Sequence, residues 1–287
     1  MREINGATRL LGLFGWPVEH SMSPIIQNAA IEKMGLNWVY VPLGVEPARL
    51  GEAMAGVRAI NFVGVNVTVP HKQAVMKFLD RIDPSARAIG AVNTVRFTEA
   101  EAVGYNTDIH GYRRTVELEG AFAFEGKGVL QIGAGGAGRA MAAGAADARA
   151  GRLWLFDVDR KRAESMAGDM RELFPHTEFR VLGSPGEIPS AAAEADLIAN
   201  ATPLGMKADD DLPVPKGAIQ AKHLVFDAVY VPSQTRLLSE AAAVGARTVS
   251  GVGMLTRQGA RALEIRSGQT PDEQLMFDRI REKLGLD

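Results

Sequence analysis

The sequence has no cysteine among its 287 residues. Disulfide bonds, thiol catalysis and cysteine-ligated metals are therefore excluded, and a reducing compartment is permitted. It also lacks an uninterrupted apolar run of about 18 residues, which a membrane-spanning helix needs; the alanine-rich segment 140–150 is interrupted by Asp147 and Arg149. Residues 1–8 carry charge and no apolar stretch, unlike a signal peptide. We therefore expect a cytoplasmic protein without a membrane partner.

Neither sign of charge dominates the chain. The 32 Lys and Arg residues nearly balance the 34 Asp and Glu residues, for a net charge of -2. No basic surface is implied, so we expect no nucleic-acid partner. The five histidines show no spacing typical of a metal site, and we expect no metal.

The length favours two domains, and short apolar runs alternate with helical patterns, which is typical of α/β domains with mostly parallel sheets. In the first third, strands are predicted at 10–14, 38–43, 62–67, 94–97 and 102–105, and helices that open on a proline at 24–34, at 47–57 and from Pro70. A second series follows Gly126, with strands at 129–132, 153–156, 179–182, 197–199 and 224–228, and helices from 136 and at 160–174. The first domain boundary is expected near 108–111, and 253–286 is expected to be helical.

A glycine-rich turn opens the second series. Gly133, Gly135 and Gly138 have the G-x-G-x-x-G spacing, directly after an apolar strand and before a helix. The first glycine permits the tight turn, the second lets the backbone approach a pyrophosphate, and the third lets the helix pack closely on the strand. The free N–H groups at the helix N-terminus favour that anion. The pattern predicts a Rossmann-type dinucleotide site.

Asp157 bears on the choice of dinucleotide. It follows the next strand, about 20 residues beyond the turn, where a carboxylate binds a ribose hydroxyl and repels a 2′-phosphate. NAD is therefore favoured. Arg160, Lys161 and Arg162 follow at once and could accommodate that phosphate, so NADP is not excluded.

Polar residues also stand at strand ends in the first domain. Hydroxyls, amides, a lysine and a carboxylate occur in the segments HSMSP (20–24), NVTVPHK (66–72), GAVNT (90–94) and YNTD (105–108). Ligands of α/β sheets bind beyond the carboxyl ends of parallel strands, so these segments are candidates for a substrate site.

These segments, in this order, resemble the shikimate dehydrogenase family. The resemblance continues through GAGGAGR (133–139), NATPLGM (200–206), DAVY (227–230) and GVGML (251–255) with Gln258, and covers about 10–284. It implies that 1–109 and 252–287 form a substrate-binding domain and that 110–251 form a Rossmann-type NAD(P)-binding domain. It further implies reversible reduction of 3-dehydroshikimate to shikimate in aromatic amino-acid biosynthesis.

The resemblance also implies residue roles. Lys72 and Asp108 match the catalytic pair. The substrate contacts are Ser21, Ser23, Thr68, Asn93, Asp108, Tyr230 and Gln258. The cofactor contacts are Gly133, Ala134, Gly135, Gly136, Ala137, Gly138, Arg139, Asp157, Arg162, Thr202, Ala228 and Gly251. A monomer or a homodimer is expected.

The sequence departs from many family members in two places. Asp157-Val158-Asp159 replaces Asn-Arg-Thr of NADP-using members and is similar to NAD-preferring or quinate-accepting relatives. Met22 stands where some members have a lysine. The alternatives are an NAD-dependent quinate/shikimate dehydrogenase that works oxidatively and, from another class, a dinucleotide-sensing module without catalysis. Lys72 and Asp108 favour an enzyme, because a sensor need not keep them.

Overall fold

The computed structural model describes residues 3–286, and within them the chain divides into two compact units. One unit comprises the chain up to Thr107 and the segment from Thr256 onward, and the other comprises Asp108–Leu255. The limits predicted from the sequence, 109/110 and 251/252, differ from these by only a few residues. Each unit contains a sheet rich in parallel pairings, which confirms the predicted α/β fold class.

Strands and helices alternate along much of the chain. The strands are β1 (Arg9–Gly15), β2 (Trp38–Gly44), β3 (Gly64–Val67), β4 (Arg81–Ile82), β5 (Thr94–Phe97), β6 (Ala102–Tyr105), β7 (Gly128–Ile132), β8 (Arg152–Phe156), β9 (Glu178–Val181), β10 (Leu197–Asn200), β11 (Leu224–Asp227) and β12 (Arg247–Ser250). The helices are α1 (Ser23–Lys33), α2 (Leu50–Ala59), α3 (Pro84–Ile89), α4 (Asp108–Glu119), α5 (Gly136–Asp147), α6 (Arg160–Leu173), α7 (Ile188–Glu194), α8 (Arg236–Ala243), α9 (Gly251–Ser267) and α10 (Glu273–Leu284). Directly consecutive elements of the same kind occur at β5–β6, β10–β11 and α9–α10.

The sheet of the first unit is mixed. Its strand order is β2-β1-β3-β5-β6-β4, with β1 parallel to β2 and β3 and with β5 antiparallel to β3 and β6. The register places Asn66 opposite Thr94, so the carboxyl end of β3 lies beside the start of β5. Val65, Val67 and Val95 are buried in the core below this edge.

The sheet of the second unit has the order β12-β11-β10-β7-β8-β9 and is parallel at every described pairing. This is the 3-2-1-4-5-6 order of dinucleotide-binding folds, in which ligands bind where the order reverses, beside the first strand. That strand is β7, and the glycine turn follows it. Leu130, Ile198 and Val225 are fully buried, as expected of central strands covered on both faces.

The predicted helix from Pro70 is wrong. The chain turns after β3, where His71 N donates to Thr68 O at 2.8 Å, and the next helical segment is a 3-10 helix at Ala74–Phe78. The carbonyl of Lys72 accepts from Val92 N of the neighbouring segment at 2.8 Å. Because this tertiary hydrogen bond holds that carbonyl, the segment follows the sheet edge instead of forming an α-helix.

The C-terminal segment is helical, as predicted, but in two parts. Helix α9 ends at Ser267, and Gly268 follows with a φ of 72°. On α10, Met276 and Ile280 are fully buried, so the predicted apolar face is the buried one.

Candidate functional site

Lys72 is anchored through its neighbours at the carboxyl end of β3. Thr68 N donates to Phe14 O of β1 at 2.8 Å, and a nitrogen of the His71 ring lies 2.7 Å from Val45 O. The side chains of Thr68 and Lys72 are half-buried. The backbone at both ends of this short loop is therefore fixed, which limits where the Lys72 ammonium can reach.

Asn93 connects the edge of this sheet with helix α9. Its Oδ1 accepts from Thr107 N at 2.8 Å, and its Nδ2 donates to Thr107 Oγ1 at 3.0 Å and to Gln258 Oε1 at 3.4 Å. The structure thus brings together two predicted substrate contacts, Asn93 and Gln258, that lie far apart in the sequence. Because Val92 N bonds the carbonyl of Lys72, the lysine loop joins the same group.

The two serines lie at the start of α1. Ser23 is its first residue and is buried, and Ser21 Oγ accepts from Ser23 N at 3.2 Å. The N-cap position belongs to Met22, whose side chain makes no capping hydrogen bond.

Behind these residues lies a buried polar cluster that the sequence did not reveal. Asn66 Oδ1 accepts from Tyr40 Oη at 3.0 Å and from Arg266 Nη1 at 2.9 Å, and Asn66 Nδ2 donates to Thr94 Oγ1 at 3.2 Å. Burial raises the pKa of Tyr40 above its usual range. In the sequence, only the asparagine within the apolar strand β3 indicated this cluster. The sequence around Arg266 gave no such indication.

Asp108 is the first residue of α4, directly after Thr107, and its side chain is buried. A carboxylate in the first turn of a helix is favoured by the helix dipole.

In the second unit, the glycine turn has the geometry that its spacing predicts. Gly133 has a φ of 103°, and its N donates to Phe156 O at 2.7 Å. A Cβ on Gly138 would lie 2.3 Å from Gly133 O, so only glycine allows this approach of helix and strand. Gly135 is the N-cap of α5; no described side chain caps that end, and no described atom lies within 4 Å of where its Cβ would be. The free N–H groups and the open space fit a pyrophosphate.

Asp157 fastens the turn. Its Oδ2 accepts from Ala134 N and its Oδ1 from Asp159 N, both at 2.8 Å, and its side chain is 7% exposed. Arg162 Nη1 lies 3.8 Å from Asp157 and Arg162 Nη2 lies 3.7 Å from Asp159. The Asp157 carboxylate keeps lone pairs for a ribose hydroxyl. Arg162, a predicted cofactor contact, lies near two carboxylates.

Three further predicted cofactor residues lie at the ends of adjacent strands. A Cβ on Gly133 would lie 3.0 Å from Thr202 Cγ2, and a Cβ on Gly251 would lie 2.3 Å from Ala228 O. Arg139 differs from them, because its buried guanidinium forms an ion pair with Asp169 of α6. That contact ties α5 to α6 within the unit.

Tyr230 follows a turn that a buried carboxylate organises. Asp227 accepts from Thr235 Oγ1 at 2.6 Å, from Asn200 Nδ2 at 2.9 Å and from Val229 N at 3.0 Å. Burial raises the pKa of Asp227 and of Tyr230. Asp227 and Asn200 are thus supporting residues that sequence reasoning did not single out.

Within residues 3–286, none of the helices combines the length and the apolar character needed to cross a membrane. Over the same range, no group of three or more histidine and acidic side chains is arranged to hold a metal ion.

The family-model, sequence and structure comparisons all match shikimate dehydrogenases. The shikimate dehydrogenase substrate binding domain model matches residues 13–95. The chain is 42% identical to the shikimate dehydrogenase (NADP(+)) of Desulforamulus reducens, over 98% of this chain and 97% of that one. It is similar to a crystal structure of a shikimate dehydrogenase in complex with NADP+, with 38% identity, a TM-score of 0.90 and 98% of each chain covered. A quinate dehydrogenase from Corynebacterium glutamicum in complex with NAD is also similar, with 31% identity, a TM-score of 0.89 and coverage of 96% of this chain and 99% of that one.

Proposed function

The chain belongs to the shikimate dehydrogenase family, and we propose that it catalyses the reversible reduction of 3-dehydroshikimate to shikimate with a nicotinamide dinucleotide. One observation carries the proposal. The backbone hydrogen bond from Val92 N to Lys72 O places the lysine loop beside Asn93, whose side chain bonds Gln258. A cation and two amides on fixed backbone are suited to a small hydroxylated acid.

Reduction of a ketone requires a hydride and a proton. The bound nicotinamide supplies the hydride. The Lys72 ammonium stabilises negative charge that develops on the substrate oxygen in the transition state, which is where stabilisation accelerates a reaction. An ammonium group can also donate the proton. Asp108 is proposed as the second member of the catalytic pair, which orients a substrate hydroxyl.

The substrate carboxylate is proposed to bind at Ser21 and Ser23. Ser21 Oγ accepts from the backbone N–H of Ser23, which fixes the first hydroxyl against the helix start. The N-terminal end of α1 favours a negative charge there. Thr68, Asn93, Gln258 and Tyr230 are proposed to bind the ring hydroxyls.

We propose NAD as the better of the two dinucleotides. Asp157 repels a 2′-phosphate, and Arg162, a predicted cofactor contact, lies near Asp157 and Asp159. Because the curated relatives are named for NADP(+), a comparison of the two cofactors tests this preference.

The quinate alternative has less support, because the identity to a shikimate dehydrogenase is 42% and that to a quinate dehydrogenase is 31%. Quinate has an additional ring hydroxyl, for which a pocket must add room or a partner. The sensor alternative leaves Lys72 without a role. The cytoplasmic location, the monomer or homodimer, and the absence of nucleic-acid and membrane partners stay predictions.

The decisive assay measures kcat/KM for shikimate and quinate with NAD and NADP, and for 3-dehydroshikimate with NADH and NADPH. We expect turnover of shikimate and of 3-dehydroshikimate, with NAD(H) preferred. If neither cofactor supports turnover of shikimate, the proposed function is wrong.

A further inference from the structure

Arg266 is a buried cation whose described hydrogen-bond acceptors are neutral. It lies on α9 and is 5% exposed. Its Nη1 donates to Asn66 Oδ1 at 2.9 Å and its Nε to Val95 O at 3.2 Å, while Nη2 has no partner among residues 3–286. Burial lowers the pKa of Arg266 to about 10, so the guanidinium is charged at neutral pH. Burying such a charge is costly unless an anion compensates it.

The space for this guanidinium is built into the sheet. A Cβ on Gly64 of β3 would lie 2.7 Å from Arg266 Nε and 2.2 Å from Val95 O. Any larger residue at this position would collide with the arginine and with the neighbouring strand. The absence of a side chain at Gly64 therefore makes room for the Arg266 guanidinium inside the sheet, where its position is fixed.

A chain of contacts leads from Arg266 to the serine pair. Arg266 and Tyr40 both donate to Asn66 Oδ1. Asn28 of α1 donates to Tyr40 O at 2.8 Å and accepts from Tyr40 N at 2.9 Å, which fixes beside Tyr40 the helix that Ser23 begins. The Ser23 side chain is close enough to the Tyr40 phenol to counteract the effect of burial on the pKa of Tyr40. A hydroxyl hydrogen can rotate, so Ser23 can turn its O–H toward a bound anion while Tyr40, Asn66 and Arg266 stay in position.

We propose that Arg266 is a positioning residue that acts through Asn66 and Tyr40, holding Ser23 in place and supplying a fixed positive charge that favours the substrate carboxylate. The inference rests on the proposed function, because that function places a carboxylate at Ser23. Charges in a water-poor interior interact more strongly than charges in water, so a guanidinium behind the site contributes without touching the substrate.

The test compares shikimate with its methyl ester, which lacks the negative charge. The dissociation constants of both are measured by titration calorimetry for the wild type and for Arg266→Met, together with KM and kcat. We expect Arg266→Met to bind shikimate about tenfold more weakly, a loss of about 1.4 kcal/mol in binding free energy. The dissociation constant of the ester and kcat should change little. A purely structural role would weaken both ligands alike.

Arg257→Met is the matched control. Arg257 is on the same helix and is 7% exposed, but its guanidinium packs toward α10, 4.8 Å from the Phe277 ring centroid and 3.9 Å from a Glu273 oxygen. The Arg257→Met variant should leave the ratio of the dissociation constants for shikimate and its methyl ester at the wild-type value. Arg266→Lys retains the charge and should recover part of the shikimate affinity.

The inference is overturned if Arg266→Met weakens shikimate and ester equally or leaves both unchanged. If that variant does not fold, Tyr40→Phe decides, because it breaks the link to Ser23 and keeps the guanidinium. Selective loss of shikimate affinity then supports the inference, and an unchanged ratio refutes it. A wild-type protein that binds shikimate but does not turn it over contradicts the proposed function alone.

Discussion

Two alanine substitutions in the glycine turn separate its role in folding from its role in binding a dinucleotide. At Gly138 a Cβ would lie 2.3 Å from the carbonyl oxygen of Gly133, so the helix must move away from the strand. Such overpacking costs about 1–3 kcal/mol, which lowers Tm by roughly 3–9 °C in a protein of this size. We expect Gly138→Ala to be less stable even without a ligand.

Gly135→Ala should behave in the opposite way. Its φ of -72° is open to any residue, and no described atom lies within 4 Å of the added methyl group. The lost preference for glycine at the N-cap and the reduced freedom of the unfolded chain nearly cancel, so stability should change by no more than about 0.5 kcal/mol. The methyl group instead occupies the space that a pyrophosphate needs, and we expect NADH to bind at least about tenfold more weakly.

The assay is a thermal melt with and without NADH, together with a fluorescence titration of NADH. Gly168→Ala is the control, since this α6 glycine also has no described atom within 4 Å of an added Cβ and lies outside the turn. It should bind NADH as the wild type does. Wild-type NADH affinity in Gly135→Ala would refute the reasoning, because the pyrophosphate would then not approach this backbone.

Three further substitutions test the proposed site. Lys72→Met should lower kcat by about 100-fold or more while the NADH dissociation constant stays unchanged; turnover at the wild-type rate would remove Lys72 from the mechanism. Asp157→Asn keeps an acceptor for Ala134 N but loses the charge, so the ratio of kcat/KM for NADPH to that for NADH should rise by about tenfold; a constant ratio would mean that Asp157 does not select the cofactor. Asn93→Ala leaves the buried Thr107 N–H without its acceptor and should cost about 1–3 kcal/mol in urea unfolding, with a higher KM for shikimate. An unchanged unfolding midpoint would contradict that account.

Features that depend on residues close together in the sequence were predictable from the sequence. The turn between β7 and α5 needs glycine at three fixed positions, and the acid after β8 stands at a fixed distance along the chain, so both could be recognised by spacing. The buried strands of the second unit were equally clear, because central parallel strands are apolar throughout. Two strands at sheet edges, β4 with two residues and β12 with four, were not predicted.

Features that depend on contacts between residues far apart in the sequence were decided only by the tertiary structure. Pro70 and the residues after it resemble a helix start, but the bond from Val92 N to the carbonyl of Lys72 keeps this segment on the sheet edge. The hydrogen bond between Asn66 and Arg266 joins residues 200 positions apart, and spacing carries no information about such a pair. The sequence by itself therefore determined the dinucleotide turn, the α/β class and the candidate substrate residues. The folded chain decided how those residues are held, because the hydrogen bonds that hold them form only when β3, β5 and α9 come together.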